Sequence, residues 1–400
     1  MNIIRAEDNA ILIWNLERAR TAYISGEEMI ALSRWANGES NPFSQRLEDL
    51  GLLAPLCKQA VANAIQLSAN INAPINSFNA PESIHIELTE HCPLNCPMCY
   101  KDGKVNELST DYLLEVIRQA AEMGVFQIAF GGGEPLIYPY LCSVVTEISQ
   151  FKMASTITTS GMGLTASRIN ELKQAGLNHI QISMNGSSKD IHSRSRDGFD
   201  EGIAALHLLQ HSDFSFGINW VARMDNIDDF PKMAELANNC NANNLNILRY
   251  KPSPTENYND CALTSEKTDL LENFIRKIKS VRIKVDSAFS NLRCKINSRT
   301  SFMAGCGAGR RFFTVGACGS YMPCSHINMK EKPMNLHDNS LKHFWENSKH
   351  LAMFRSLGES ISAPCSDCSY LHGCYSCRAV VLPTEGCFFS GDKSCGMQGN

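Results

Sequence analysis

The stretch His91-Cys92-Pro93-Leu94-Asn95-Cys96-Pro97-Met98-Cys99-Tyr100 sets three cysteines at CxxxCxxC spacing, directly after the strand-like run Ser83–Leu88. Three thiolates this close can hold three corners of a cubane iron–sulfur cluster but not the fourth. The fourth iron is left for a ligand that is not protein, and an open iron in a reducible cluster is a place for chemistry. A structural zinc is the competing use of such thiols. It needs a fourth protein ligand, and neither nearby candidate, His85 or His91, has the habitual spacing. A second motif, Gly131-Gly132-Gly133-Glu134-Pro135, follows the next strand-like run. A Gly-rich turn alone says little, because turns need glycine for positive φ. Its pairing with the cysteine loop is what carries weight.

A larger cysteine field lies near the other end. Of 17 cysteines, nine fall from Cys306 to Cys395, and Cys365-x2-Cys368-x5-Cys374-x2-Cys377 is the densest run. A secreted disulfide framework would be small and even in its cysteine count, and this chain of 400 residues is neither. Clustered cysteines in a reducing compartment more often bind metal. Cys57, Cys142, Cys240, Cys261 and Cys294 stand apart and read as bystanders. The net charge of −4 gives no reason to expect nucleic acid or an anionic membrane as partner. No apolar run approaches the roughly 18 residues of a membrane span, and the N-terminus has no signal-peptide pattern. A cytoplasmic protein is expected.

The elements that must position these motifs alternate in type. Strand-like runs at Ser83–Leu88, Phe126–Phe130, Ala154–Thr159, His179–Met184, Phe214–Val221 and Leu245–Tyr250 are each followed by a helical stretch, beginning with Thr110–Met123 and ending with Ser265–Lys279. Six βα units predict an α/β fold with a parallel sheet, closed fully or partly into a TIM-type (β/α)6 barrel with chemistry at the carboxyl ends of the strands. The cysteine loop, Gly131–Pro135 and Thr159–Gly161 fall at those ends. Before residue 80 the composition differs: three short strands within 2–24, a helix over Gly26–Trp35, another over Ser44–Leu50, then an Asn- and Pro-rich linker at Asn70–Pro81. After residue 295 the alternation stops. Three units are expected, at 1–75, 80–295 and a loop-rich 296–400.

On the cysteine loop and the Gly-Gly-Glu turn, residues 83–290 resemble the radical S-adenosylmethionine (SAM) superfamily. The resemblance implies that Cys92, Cys96 and Cys99 bind a 4Fe–4S cluster whose open iron is chelated by SAM. Gly132, Gly133 and Glu134 would receive the SAM amine, Tyr100 would lie near the adenine, Ser183 would be a polar strand-end contact, and Arg196 would meet the SAM carboxylate. Reductive cleavage of SAM would release a 5′-deoxyadenosyl radical that abstracts hydrogen, with the electron coming from a flavodoxin- or ferredoxin-type donor. One departure stands out. Where the family often has Ser-x-Asp-Gly, this chain has Ser183-Met184-Asn185-Gly186, which keeps the turn and loses the charge. Thr158, Thr159 and Ser160 read as structural.

Residues 300–400 resemble the SPASM extension of that superfamily through Cys306-Gly307-Ala308-Gly309, Gly319-x4-Cys324, the dense cysteine run and Gly391-Asp392-x2-Cys395. By that pattern Cys306, Cys324 and Cys377 hold a first auxiliary 4Fe–4S cluster, with Cys318 as fourth ligand or one iron open. Cys365, Cys368, Cys374 and Cys395 hold a second, with Cys387 the rival for the last place. A zinc-binding field is the competing reading. Residues 1–75 are similar to the small winged-helix element that binds leader peptides in ribosomal peptide maturation, with a helical cap on the barrel as the alternative. The combination implies a peptide maturase that forms an oxidised cross-link, carbon–carbon at an aromatic or thioether, on a precursor peptide with a leader segment. The rival functions are Cα epimerisation, a sulfatase-maturing-type protein oxidase, a small-molecule radical SAM oxidoreductase, and a non-enzymatic metal scaffold.

Overall fold

The computed structural model describes residues 2–15, 20–53, 56–101, 105–296, 305–327 and 334–395. The six expected strands are present as β4 (Ser83–Thr89), β5 (Gln127–Gly132), β6 (Ala154–Thr159), β7 (His179–Ser183), β8 (Phe216–Ala222) and β9 (Leu245–Arg249), preceded in the chain by three others described below. They lie parallel and side by side in sequence order. The principal helices that return the chain between them are α4 (Thr110–Glu122), α5 (Leu141–Gln150), α6 (Ala166–Ala175), α8 (Phe199–Gln210) and α9 (Phe230–Asn239), with α11 (Ser265–Lys277) after β9. The short helices α7 (Lys189–His192) and α10 (Tyr258–Cys261) sit in the loops after β7 and β9.

Strand alternation explains how this sheet makes a site. Ile84, Ile86 and Leu88 of β4, Ile128 and Phe130 of β5, and Ile180 and Ile182 of β7 are buried in the core beneath the helices. The intervening His85, Glu87, Ala129, Gly131 and Ser183 line an interior cavity. A parallel sheet packed on both faces would be apolar on both, so the polar alternate positions mark a lumen. Helix ends agree with their sequences. Ser109 caps α4 by accepting from Tyr112 N, Thr165 caps α6, and Gly176 ends α6 at φ 98°.

The sheet is wider than six strands and does not close. β10 (Ile283–Val285) joins parallel beside β9, followed by α12 (Ser290–Ile296). At the opposite edge β11 (Phe312–Val315), from the cysteine-rich part, pairs parallel with β4, and β12 (Tyr321–Met322) pairs antiparallel with β11. The order is β10-β9-β8-β7-β6-β5-β4-β11-β12. The C-terminal part continues with α13 (Leu341–Asn347), α14 (Lys349–Arg355), α15 (Leu357–Ser360) and α16 (Arg378–Glu385).

The N-terminal part is an antiparallel meander, β1 (Asn2–Glu7), β2 (Ala10–Asn15) and β3 (Arg20–Ser25), covered by α1 (Glu27–Ala36), α2 (Pro42–Asp49) and α3 (Lys58–Ser68). The third helix was not expected. Ile11, Ile13 and Ile24 of the sheet pack with Leu32, Trp35, Leu47 and Val61 of these helices. From the other face of β2, Leu12 and Trp14 pack on Phe78 and Phe126 at the amino end of the barrel strands. Arg5 fastens the junction by donating to the carbonyls of Ala80, Pro81 and Gly124 at 2.7, 3.0 and 2.8 Å. No described helix is long and apolar enough to cross a membrane.

Candidate cofactor site and cysteine centres

The Gly-rich turn and the chain entering the cysteine loop are clipped together by backbone. Gly133 N donates to Thr89 O at 2.7 Å and Glu134 N to His91 O at 2.9 Å. The approach leaves no room for side chains: a Cβ would stand 2.3 Å from Thr89 O at Gly132, where φ is 123°, and 2.0 Å from His91 O at Gly133. Gly131 meets nothing within 4 Å. The glycines thus set the distance between the turn and Cys92.

Glu134 is 1% exposed, and its carboxylate accepts from Thr159 Oγ1 (2.5 Å), Ser160 Oγ (2.5 Å), Ser160 N (2.9 Å) and Leu136 N (3.1 Å). The side chain is committed to holding the turn on the end of β6. Backbone carbonyls of the turn remain as the acceptors a ligand ammonium would find. The structural reading of Thr159 and Ser160 agrees with these bonds.

The cysteine loop is held from the far side by the segment after β7. Ser195 O accepts from Met98 N at 3.2 Å, Asp197 Oδ2 accepts from Asn95 N at 2.8 Å, and Asp197 N lies 3.4 Å from Cys96 Sγ. Asn185, 1% exposed, organises that segment. Its amide nitrogen donates to Met98 Sδ and Ser195 Oγ, both at 2.9 Å, and its oxygen accepts from Val221 N at 3.1 Å. This role was not legible beforehand, and it accounts for an amide in place of the family's carboxylate.

A cavity of about 460 Å³ opens among these parts, lined by Cys92, Cys96 and Cys99, the Gly131–Glu134 turn, Tyr100, Ser183 and Arg196. All the residues expected around the first cluster and SAM therefore border one space. The Arg196 Nε is buried without a hydrogen-bond partner. A guanidinium left open toward a cavity fits a carboxylate ligand. Tyr100 donates to Glu87 Oε1 at 2.9 Å, and Glu87 also takes Lys101 Nζ at 2.5 Å. Burial and the adjacent Glu87 push the Tyr100 phenol well above its usual pKa, so it stays a neutral donor. Burial, and after it Glu134 and the other two thiols, raise Cys92 as well, against the lowering effect of the Leu94 N–H.

The cysteine-rich part reaches this cavity directly. His326, two residues beyond Cys324, lies over Tyr100 with ring centroids 4.0 Å apart. Burial, Lys251, Lys101 and His85 hold its imidazole far below the usual pKa and hence neutral. Cys306, Cys324 and Cys377 are mutual neighbours: burial raises Cys306, with Cys377 and Cys324 adding to it, and burial pushes Cys324 up to about 11. Lys251, which lines the cavity, stands close to all three thiols. Burial opposes its charge, while Asp286 and those thiols raise its pKa. Cluster loading would release these thiol protons.

Around Cys374 gather Cys365, Cys368 and, unforeseen, Cys294 of α12. Asp392 N donates toward Cys365 Sγ at 3.3 Å, and its carboxylate takes Arg249 Nη1 at 2.7 Å together with the Ser376 and Ser394 hydroxyls. Burial alone would raise Asp392, but Arg249 and these hydroxyls hold it at about 2. Arg249 also lines the cofactor cavity, so one ion pair joins the end of β9 to the second cysteine group. The Cys395 carbonyl accepts from Asn291 Nδ2 of α12 at 3.0 Å. Cys387 is exposed. Cys318 is exposed in the β11–β12 turn, with its sulfur 3.1 Å from Ser320 Oγ and Tyr112 nearby.

Comparison with known families agrees with this geometry. Residues 86–237 match the radical SAM superfamily and residues 306–369 match SPASM, an iron–sulfur cluster-binding domain. Residues 86–237 thus form a radical SAM superfamily domain and residues 306–369 fall in a SPASM domain. These domains imply 4Fe–4S and SAM binding, and the cysteine loop, glycine cradle and open Arg196 suit both. The PqqA peptide cyclase of Gluconobacter oxydans (strain 621H) is 29% identical over 329 residues, covering 79% of this chain and 91% of that protein. In fold, this chain is similar to Streptococcus suis SuiB bound to S-adenosylmethionine, with TM-score 0.77, 15% identity and 98% of each chain covered. SuiB bound to precursor peptide SuiA gives 0.76 over the same share. AdoMet-bound anSMEcpe gives 0.62 at 18% identity, covering 78% of this chain and 93% of that one.

Proposed function

We propose that this protein is a radical SAM peptide maturase that removes hydrogen from a ribosomally made precursor peptide and forms an oxidised cross-link, carbon–carbon at an aromatic side chain or thioether. The reading is carried by the contact of His326 with Tyr100, which brings the loop of Cys324 against the cofactor cavity. An auxiliary cluster held by Cys306, Cys324 and Cys377 would then stand beside the substrate and accept the electron that an oxidative closure must discard. The relationship to a peptide cyclase, and the likeness to a precursor-bound enzyme over a span that includes the N-terminal meander, support a peptide as substrate.

In this reading Cys92, Cys96 and Cys99 hold the first cluster, and Cys365, Cys368, Cys374 and Cys395 the third. Residues 1–75 take the leader, 80–295 form the catalytic barrel and 296–400 carry the auxiliary clusters. The chemistry supplied by a reduced cluster and SAM is hydrogen abstraction from an unactivated position. The chain does the rest. Carbonyls of the Gly132–Glu134 turn would accept from the SAM amine, Arg196 would donate to its carboxylate, and Tyr100, held by Glu87, would border the adenine. Ser183 adds a strand-end contact. A flavodoxin- or ferredoxin-type protein delivers the reducing electron.

Anaerobic reconstitution tests the reading. About twelve irons per chain are expected from three cubanes, with reductive SAM cleavage and loss of two hydrogens from a short peptide encoded beside this chain. Bound zinc without SAM cleavage would overturn it. Arg196→Ala should weaken SAM binding roughly 10- to 100-fold, the worth of a charged hydrogen bond of about 1.5–3 kcal/mol, by equilibrium dialysis with iron content unchanged.

A further inference from the structure

Helix α12 turns one face onto a single cysteine. Ser290 and Cys294, four residues apart and therefore stacked on one side of the helix, both reach Cys374. The Cys374 thiol donates to Ser290 Oγ at 3.0 Å, and the Cys294 thiol, one turn further along, adjoins the same sulfur. Between them Asn291 holds the Cys395 carbonyl at 3.0 Å. Ser290, Asn291 and Cys294 are 1%, 6% and 4% exposed, so water does not compete for these contacts. The Ser376 backbone N–H also donates to Cys374, and the Cys374–Ser290 bond, in which the thiol donates to Ser290 Oγ, would reverse to Ser290 donating once Cys374 is a thiolate, whereas Asp392 N donates to Cys365.

We propose that Ser290 and Cys294 are hydrogen-bond donors to the Cys374 thiolate that raise the reduction potential of the second auxiliary cluster, and that Cys294 is not itself a ligand. This rests on the reading that Cys374 ligates that cluster. Hydrogen bonds to cluster sulfurs favour the reduced, more negative state, and burial keeps them strong. In that reading the four protein ligands of the cluster are Cys365, Cys368, Cys374 and Cys395, which leaves Cys294 as the neighbour of a ligand. A cluster tuned in this way takes up an electron more readily, as the last acceptor in a path leading away from the cofactor cavity requires.

The test is a redox titration of the anaerobically reconstituted full chain, followed by electron paramagnetic resonance without SAM or peptide. Ser290→Ala and Cys294→Ala should each keep the wild-type iron content and move one cluster midpoint to more negative potential. The expected size is about a tenfold fall in the reduced-to-oxidised ratio at fixed poise, ~59 mV for one electron, with the other midpoints unmoved. Cys294→Ser, which retains a donor, should lie between Cys294→Ala and wild type. Unmoved midpoints in both alanine variants would overturn the proposal, as would loss of about four irons in Cys294→Ala, which would make Cys294 a ligand. If Cys294→Ala fails to fold, Ser290→Ala decides by the same shift. Cys374→Ala tests the underlying reading separately: full iron retention there would refute the ligand assignment, whatever the other variants do.

Discussion

Asn185 carries more of the site than its place in a turn motif suggests. As an amide it can donate to Met98 and Ser195 while accepting from Val221 N. An aspartate could only accept, and it would be buried without a cation. Asn185→Asp should therefore cost at least about 1–3 kcal/mol, measured by urea unfolding, and should loosen Met98 between two cluster cysteines so that iron content falls. Wild-type stability and iron would rule this account out. The donor role could not be read from Ser183-Met184-Asn185-Gly186, because the partners arrive from residues as distant as Met98 and Val221. Glu134 is the opposite case. Its motif was legible, but the division between a backbone that faces the ligand and a side chain tied to Thr159 and Ser160 was visible only after β5 and β6 were side by side.

At the scale of elements, the β5 turn and the second cysteine group make separable claims. Gly133→Ala drives a Cβ into His91 O, whereas Gly131→Ala meets nothing within 4 Å. The first should lose about 1–3 kcal/mol together with SAM binding, and the second should fold normally; thermal melts and dialysis compare them. Equal behaviour would show that the close approach to the cysteine loop is not a constraint. Asp392→Asn leaves Arg249 buried without its ion-pair partner. The expected cost is about 3–5 kcal/mol, seen as a lower unfolding midpoint and a loss of iron from the second auxiliary cluster. The six central strands and their helices were legible because period-2 and helical periodicities are local signals. Strand β11 was not. Phe312–Val315 is short and becomes a strand because the edge of β4 is there to pair with it. Helix α3 was missed for a related reason: Lys58–Ser68 is stabilised by packing Val61 and Ala64 under the meander.

For the whole molecule, the N-terminal meander is part of the body it sits on. Leu12 and Trp14 close over Phe78 and Phe126, and Arg5 crosses to three backbone carbonyls. Deleting residues 1–75 should lower the thermal midpoint by uncovering Phe78 and Phe126. It should spare reductive SAM cleavage and abolish turnover of a leader-bearing peptide. Unchanged peptide turnover would remove the leader-binding role and leave the meander as a cap. The open nine-stranded sheet places β11 and β12 so that the Cys324 loop, with His326, folds back onto Tyr100. Barrel and cysteine-rich part thus share one cavity wall.

The sequence by itself determined the chemistry available to this protein. CxxxCxxC with a Gly-Gly-Glu turn, and a second cysteine field, are covalent spacings that hold in any conformation, and the βα periodicity fixes what surrounds them. Tertiary structure decided which groups meet. It set Arg196 open toward the cavity, turned Asn185 into a hub, and laid His326 on Tyr100. It also brought Cys294, isolated in sequence, against Cys374. Those outcomes depend on contacts between residues far apart in the chain, and local propensity carries no information about them.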